Sequence, residues 1–445
     1  MKIRMFFTIL ICKILRFLAG LLGRGSSMPG KIALKLYPDI LAHLKYPDSV
    51  IAVTGSNGKT STVEMIAHVL REGGLKVAYN KEGSNQTEGV TTFLLSDATL
   101  GGKIRSDAVL LESDERYMRR TFKFFHPRYL IITNLYRDQM TRNGHPEWIY
   151  DIIKRGLHDD MTLVLNADDP LVSKFGAGRE GTLYFGADHL ECDSDRNDSI
   201  YDDGKYCPVC KKPMEYEYYH YNHIGKYRCT SCGFARPDTR WSLTGTDLEN
   251  GNIVINGEYK IPLTFNGIYH CYNTLAAFAA ADLAGIPREK ACEALGGYIL
   301  KSGRIVDFTL GKTEGRLLLS KHENSISYDR SIDVVANDPR KVNVMFIVDA
   351  ISRKYFTSDS SWLWDIDFEK ADQPNVGKII LAGKYCNDLA VRFEAAGIDK
   401  DKTKIFESIP EAAAFAGDRS EYLYVITCFS DKEKILSIVT RKEIT

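Results

Sequence analysis

The sequence lacks a net charge: its 58 basic and 58 acidic residues cancel at pH 7. That removes the electrostatic case for a nucleic-acid partner, which is normally met by a basic excess. A membrane-spanning run is also missing. The apolar stretch at residues 5–22 is interrupted by Lys13 and Arg16, and its unbroken part, residues 5–12, falls far short of the ~20 residues needed to cross a bilayer. No small-residue cleavage site follows, so a secretory signal is not expected. The stretch reads as an amphipathic helix packed on the first domain. Peripheral contact with a membrane surface is the alternative, which Arg4, Lys13, Arg16 and Arg24 allow. The bias of a disordered chain is absent too. An apolar share of 44% and a charged share of 26% belong to a globular chain that buries a sizeable core, and 445 residues suggest about three domains of ~150 residues.

Cysteine is plentiful, and four of the ten explain themselves by spacing. Cys207 and Cys210 form one pair, Cys229 and Cys232 a second, and 18 residues separate the pairs. This is the two-knuckle pattern of a zinc ribbon. Four thiolates close a tetrahedral shell around Zn²⁺ and leave no position open for water, so the metal is structural. Two disulfides are the competing reading and would need an oxidising compartment. The remaining six (Cys12, Cys192, Cys271, Cys292, Cys386 and Cys428) are scattered, several in apolar contexts expected of buried thiols. None sits in a nucleophile turn with a histidine arranged beside it.

The strongest signal lies at residues 50–62, where an apolar strand breaks into Gly55-Ser56-Asn57-Gly58-Lys59-Thr60-Ser61. Val63, Met65, Ile66, Val69 and Leu70 follow at helical spacing, so the turn opens a helix whose free amides face an anion. Lys59 neutralises terminal phosphates and Thr60 is placed on Mg²⁺. The position six before the lysine is Val53, which makes this the shorter G-x-x-G-K-[ST] form. Apolar strands are expected at residues 76–79, 107–112, 129–134, 162–166 and 182–185, alternating with helices as in a doubly wound parallel sheet. Three strands end in polar clusters: residues 112–115, 133–139 and 166–170. Carboxyl ends of such strands are where ligands collect, and the three clusters read together as a nucleotide and metal site.

These motifs, with Tyr272-Asn273 ahead of an alanine-rich helix, resemble the central domain of a Mur ligase. The four-cysteine ribbon and residues 361–369, Ser-Trp-Leu-Trp-Asp-Ile-Asp-Phe-Glu, narrow the resemblance to the MurT family, the synthetase subunits of lipid II isoglutaminyl synthase. Residues 22–35 are also similar to that family's N-terminus. The resemblance implies an α/β chain in three parts. These are an N-terminal helical segment (1–45), a Mur-ligase-like P-loop ATP-binding domain (46–302) with an inserted zinc ribbon (204–238), and a Rossmann-like α/β C-terminal domain (303–445). Strands at 342–349, 378–382 and 422–427 and a helix at 387–396 are expected in the last of these.

The activity implied is ATP-dependent activation of the D-glutamate α-carboxylate in the lipid II stem peptide as an acyl phosphate, then amidation to D-isoglutamine. Lys59 would bind phosphate, with Gly55, Asn57, Gly58, Ser61 and Asn134 in the same site. Thr60 and Glu112 would hold Mg²⁺, Asn273 would read the adenine, Arg304 would reach the nucleotide, and Asp349 would lie near the ribose. Ammonia would come from a GatD-like glutaminase in a heterodimer. Asp359 would complete that partner's catalytic triad, with Asp365 as the reserve. The place implied is cytoplasmic, at the inner face of the membrane. The chain departs from the family's usual pattern at residues 319–326, 355–359 and 425–430. Two alternatives therefore stand beside the amidating reading: a Mur-like or folylpolyglutamate-synthase-like ligase that uses an amine directly, and a nucleotide-binding regulatory paralogue without turnover.

Overall fold

The computed structural model describes residues 2–21, 27–80, 85–197, 199–247, 250–263, 267–299, 305–351, 359–417 and 421–442. The chain divides into two units. One comprises Met1–Tyr136, Glu147–Asp198 and Asp202–Leu300; the other comprises Arg137–Pro146, Ser199–Tyr201 and Lys301–Thr445.

Among the described residues of the first unit eleven strands form: β1 (Ser49–Thr54), β2 (Val77–Tyr79), β3 (Ala108–Glu112), β4 (Tyr129–Ile132), β5 (Thr162–Asn166), β6 (Leu183–Ala187), β7 (Glu215–Tyr221), β8 (Ile224–Arg228), β9 (Trp241–Asp247), β10 (Asn252–Ile255) and β11 (Tyr259–Pro262). Nine make one sheet in the order β11-β10-β9-β6-β5-β4-β1-β3-β2. The seven from β2 to β9 are parallel, and β10 and β11 run antiparallel at one edge. All five strands expected here are present. The central ones are continuous apolar runs because the sheet is covered on both faces. The expected strand at 129–134 stops at Ile132, and Thr133 and Asn134 turn to other work described below. The strands β9 to β11 went unread because β9 alternates its buried and half-exposed residues around Thr244, Gly245 and Thr246, which offers no apolar run.

The expected amphipathic helix is α1 (Lys2–Leu21), followed by α2 (Met28–Leu36), α3 (Lys59–Glu72) and α4 (Thr87–Asp97). Met5, Ile9 and Cys12 join Ala33, Val50, Leu94, Val109 and Leu130 in one core. The packing expected of α1 is therefore real on that face. Arg4 donates to the Leu36 carbonyl at 2.7 and 2.9 Å, and Lys13 donates to the Ser96 carbonyl at 2.6 Å.

In the second unit a seven-stranded sheet runs β16-β15-β14-β17-β13-β12-β18. Its strands are β12 (Ile305–Leu310), β13 (Thr313–Ser320), β14 (Val342–Ile347), β15 (Val376–Ala382), β16 (Thr403–Phe406), β17 (Tyr422–Cys428) and β18 (Thr440–Arg441). The five from β13 to β16 are parallel, and apolar clusters cover both faces. Because β17 returns between β14 and β13, the carboxyl ends of these three strands meet at the point where strand order reverses, the usual ligand position in an open α/β sheet. Trp362 and Phe368 are core, whereas Trp364 is half exposed. The hairpin β12–β13 was not read from the sequence.

One buried acid in this unit has a measurable consequence. Asp329, on the helix Ser325–Ala336, accepts the Asp367 amide at 2.8 Å. Burial raises its pKa to about 8, and Asp367 and Asp333 add to that while the Asp367 amide and Lys370 oppose it. The folded protein thus holds a proton that the unfolded chain releases between pH 3.8 and about 8. The stability this group contributes is full below its unfolded value and is lost as pH rises through its folded one. Asp329→Asn removes the dependence, so its melting temperature should gain on wild type progressively from about pH 5 to about pH 8. An unchanged gap across that range in a thermal-melt series would refute the assignment.

Candidate functional site

The turn between β1 and α3 has the form of an anion cradle. Gly55 has φ of 126° and Gly58 of 84°, both in the left-handed region that suits glycine. A Cβ at Gly55 would meet Thr133 Oγ1 at 2.4 Å, and one at Gly58 would meet Asn273 Oδ1 at 2.3 Å. The floor of the loop is held from below. Asn57 N donates to Asn134 Oδ1 at 2.8 Å, Asn134 Nδ2 donates back to the Asn57 carbonyl at 3.2 Å, and Thr133 Oγ1 donates to that carbonyl at 2.8 Å. Ser56 Oγ bridges the Tyr136 amide and carbonyl at 2.9 and 3.1 Å. Thr133 and Asn134 thus support the loop, which explains why the strand ends before them.

Lys59 lies along this loop. Its Nζ donates to the Gly55 carbonyl and to Glu115 Oε1, the latter at 2.6 Å. Glu115 also accepts the Gly55 amide at 3.3 Å. The sequence put Glu115 in the right polar cluster without giving it a role; its burial beside the lysine is the signal that was missing. Thr60 Oγ1 donates to Glu112 Oε2 at 2.9 Å, and Glu112 is fixed by a reciprocal pair with Asn80 at 2.7 and 2.9 Å. Two oxygens 2.9 Å apart have the spacing of neighbouring ligands in an octahedral shell at about 2.0–2.1 Å, so the donor set fits Mg²⁺. Ser61 sits in the first turn of α3. Asn273, buried on the helix Ile268–Leu283, accepts from Thr62 Oγ1 at 3.3 Å beside Gly58.

The third expected polar cluster has a different job. Asp169 caps the short helix Pro170–Ser173 by accepting from Leu171 and Val172 at 2.9 and 3.1 Å, and it also accepts the Leu135 amide at 2.8 Å. Asp168 is fully buried and accepts from the Ala187 amide and the Tyr272 hydroxyl, both at 2.6 Å, while pairing with Arg236. Its role is structural. The Arg137, Asp138 and Gln139 portion of the second cluster belongs to the second unit, where Arg137 pairs with Asp365 at 2.6 Å and Asp138 with Lys321 and Asn324, the latter at 2.9 Å.

Cys207, Cys210, Cys229 and Cys232 converge with all four sulfurs within 4.8 Å of one another. The contacts of 3.6 Å between Cys207 and Cys232 and of 3.5 Å between Cys210 and Cys229 exclude disulfides. They are close to the edge of a tetrahedron with ~2.3 Å metal–sulfur bonds, so the cluster fits Zn²⁺. The hairpin β7–β8 lies in sequence between the two cysteine pairs and reaches into the 166–169 turn. Gly225 N donates to the Asp168 carbonyl at 3.0 Å and Tyr227 OH to the Ala167 carbonyl at 3.1 Å. His220 is held at 2.6 Å from Asp193, and His223 lies 3.7 Å from Asp169. Burial works against protonation of His223, yet Asp169 raises its pKa.

In the second unit, Asp349 follows β14 and accepts the Lys384 amide at 2.7 Å while pairing with Lys434. Burial pushes its pKa up, but Lys434 and the Lys384 amide prevail and hold it below the usual carboxylate value. Asp359 is exposed and accepts the Ser361 amide at 3.0 Å; the Ser361 hydroxyl first, and then this amide, lower its pKa. Asp365, the reserve for the same role, is paired with Arg137. Arg304 lies outside the described residues.

The Mur ligase middle domain family matches residues 53–281, and the MurT ligase C-terminal family matches residues 321–431. The chain is 32% identical over 394 residues to the Streptococcus pneumoniae protein named lipid II isoglutaminyl synthase (glutamine-hydrolyzing) subunit MurT, covering 87% of this chain and 86% of that one. It is 28% identical over 378 residues to the Staphylococcus aureus (strain COL) protein of the same name, covering 84% of each. Among solved structures it is similar to a pseudomurein peptide ligase type C from Methanothermus fervidus (TM-score 0.67, 23% identity, 90% of this chain and 80% of that one). It is also similar to MurF from Acinetobacter baumannii (TM-score 0.61, 16% identity, 91% and 79%). These two likenesses show a shared fold.

Proposed function

The chain belongs to the Mur ligase family, in its MurT branch, and from that premise we propose that it is the ATP-dependent synthetase subunit of a lipid II isoglutaminyl synthase. The observation that carries this reading is the presence, in one unit, of a glycine cradle with an inward lysine and a four-sulfur knuckle. The unit spans a Mur ligase middle domain, and the chain matches a MurT C-terminal family beyond it.

A carboxylate resists attack by ammonia because its charge repels the nucleophile and oxide is a poor leaving group. Transfer of the γ-phosphoryl group of ATP to a carboxylate oxygen, with loss of ADP, gives an acyl phosphate. Ammonia then forms the C–N bond as the bond from the acyl carbon to the phosphate oxygen breaks, and the proton that nitrogen loses leaves on the phosphate. Lys59 holds the terminal phosphates as charge builds on them, and the glycine turn at the start of α3 cradles the rest. Thr60 and Glu112 would hold Mg²⁺, which neutralises phosphate charge when bound. Asn57, Ser61 and Asn134 shape the loop, and Asn273 stands beside it for the adenine. Arg304 and Asp349 are the residues proposed to reach the nucleotide from the C-terminal domain.

The division proposed is 1–45, 46–302 and 303–445, with a structural zinc ribbon at 204–238 and a Rossmann-like last domain. The partner proposed is a GatD-like glutaminase, and the place is the cytoplasmic face of the membrane, where the lipid-linked acceptor resides. Among the described residues no helix is long and apolar enough to cross a membrane. Asp359 is proposed to orient the partner's imidazole, a role that suits its exposed position and its low pKa. In a reconstituted pair, Asp359→Asn should abolish glutamine-driven amidation and leave the ammonium-driven reaction intact. Equal loss from both nitrogen sources would move Asp359 into the synthetase site, and loss of neither would remove it from the triad.

A further inference from the structure

Residues 1–38 contain Lys2, Arg4, Lys13, Arg16, Arg24, Lys31 and Lys35 and no acidic residue, in a chain whose total charge is zero. The first carboxylate is Asp39. The same segment holds a helix that is apolar on two sides. Met5, Ile9, Cys12 and Ala19 face the core. On the opposite side Ile3, Phe7, Ile14, Phe17, Leu18 and Leu21 are 49–75% exposed. At 3.6 residues per turn these six fall on one face of α1 covering roughly a third of its circumference. An apolar helix face is normally covered, by core or by lipid; here the core covers only one of the two. Met28 and Leu36 on α2 are 48% and 41% exposed, with Lys31 and Lys35 exposed between them.

We infer that α1 lies flat on an anionic lipid bilayer, burying its outer face at the headgroup boundary while its inner face stays packed on the first unit. Three things select lipid as the occupant. The apolar face is flanked by basic residues with no carboxylate among them, which matches an anionic surface. Phenylalanine, leucine and isoleucine, with no hydrogen-bonding side chain among them, make the exposed stripe, as suits an acyl boundary. The helix is also anchored to the body of the protein by Arg4 and Lys13 through backbone carbonyls, so that it meets the membrane as part of a rigid surface. The amidation reading supplies a reason for this contact, a lipid-linked acceptor, but the surface is argued from the helix itself.

The test uses the full chain and flotation with vesicles. It should float with phosphatidylglycerol vesicles, bind phosphatidylcholine vesicles at least about tenfold more weakly, and lose most of the difference at high salt. The double variant Phe7→Glu/Phe17→Glu should lose phosphatidylglycerol binding by about tenfold or more while keeping its melting temperature, since neither side chain is in the core. It should also keep wild-type turnover on an acceptor that lacks the lipid tail. Absence of flotation would overturn the inference, as would binding unchanged in the variant. A wild-type dimer in light scattering that becomes monomeric in the variant, without vesicle binding, would assign the face to a second copy instead. Vesicle binding without any amidation would leave this inference standing and remove the ligase reading alone.

Discussion

Lys59→Ala is expected to lower ATP-dependent turnover by roughly thirtyfold or more, which corresponds to about 2 kcal/mol or more of lost transition-state stabilisation. The figure is a floor, because an ammonium group on a phosphoryl group in transit acts on charge that grows in the transition state. The geometry adds a second effect that must be separated from the first. Lys59 and Glu115 form a buried pair, their side chains 11% and 7% exposed. Removing the cation leaves a carboxylate out of water beside the loop, which destabilises the fold as well. Lys59→Ala/Glu115→Gln removes that stranded charge. The double variant should therefore regain melting temperature and still lack turnover. If restoring stability restores activity, Lys59 is a structural residue and the phosphate assignment fails.

Cys229→Ser should yield protein without stoichiometric zinc and with a large fall in melting temperature. Structural zinc contributes on the order of 10 kcal/mol to the folding of small metal-held domains, and a three-thiolate remnant keeps little of that. The loss should also travel. Gly225, Tyr227, His220 and Arg236 tie the ribbon to Ala167, Asp168 and Ala187, and Asp168 in turn holds Tyr272, which neighbours Asn273 at the phosphate loop. Weaker ATP binding is therefore expected in Cys229→Ser although no ribbon ligand contacts the loop. The measurement is metal content by plasma emission together with nucleotide titration. One zinc per chain in the variant, or unaltered melting, would refute the metal site; zinc loss with unaltered ATP affinity would refute the coupling.

Local signals read well from the sequence where one physical cause dominates. Residues 50–62 declare a buried strand, a glycine turn and a helix in series, and the cradle found there follows the reading down to Gly55 and Gly58. The four cysteines declare themselves because two close pairs at this spacing are what a tetrahedral metal shell asks for, and their sulfurs do converge. The polar strand ends were ambiguous for a reason that residue type does not resolve. Carboxylates at the ends of strands serve ligands, helix caps and buried pairs with equal ease, so Glu112 and Glu115 at the loop could not be told from Asp168 and Asp169 in the scaffold. Only burial and partners separate them: Asp168 is enclosed by Arg236, Tyr272 and the Ala187 amide. The segment of Arg137 and Asp138 follows β4 in sequence yet belongs with residues around 321–324 and 365, a tertiary pairing that no local pattern encodes. The outer face of α1 was legible as amphipathicity but not as exposure, because both of its sides are apolar.

The most direct test of the central claim is to supply the chain with ATP, Mg²⁺, ammonium and lipid II and to read the product by mass spectrometry with phosphate release alongside. The expected result is conversion of one stem-peptide carboxyl group to a carboxamide, with one phosphate released per amide and none without acceptor. Phosphate release that ignores lipid II, or no amide from ammonium, would contradict it.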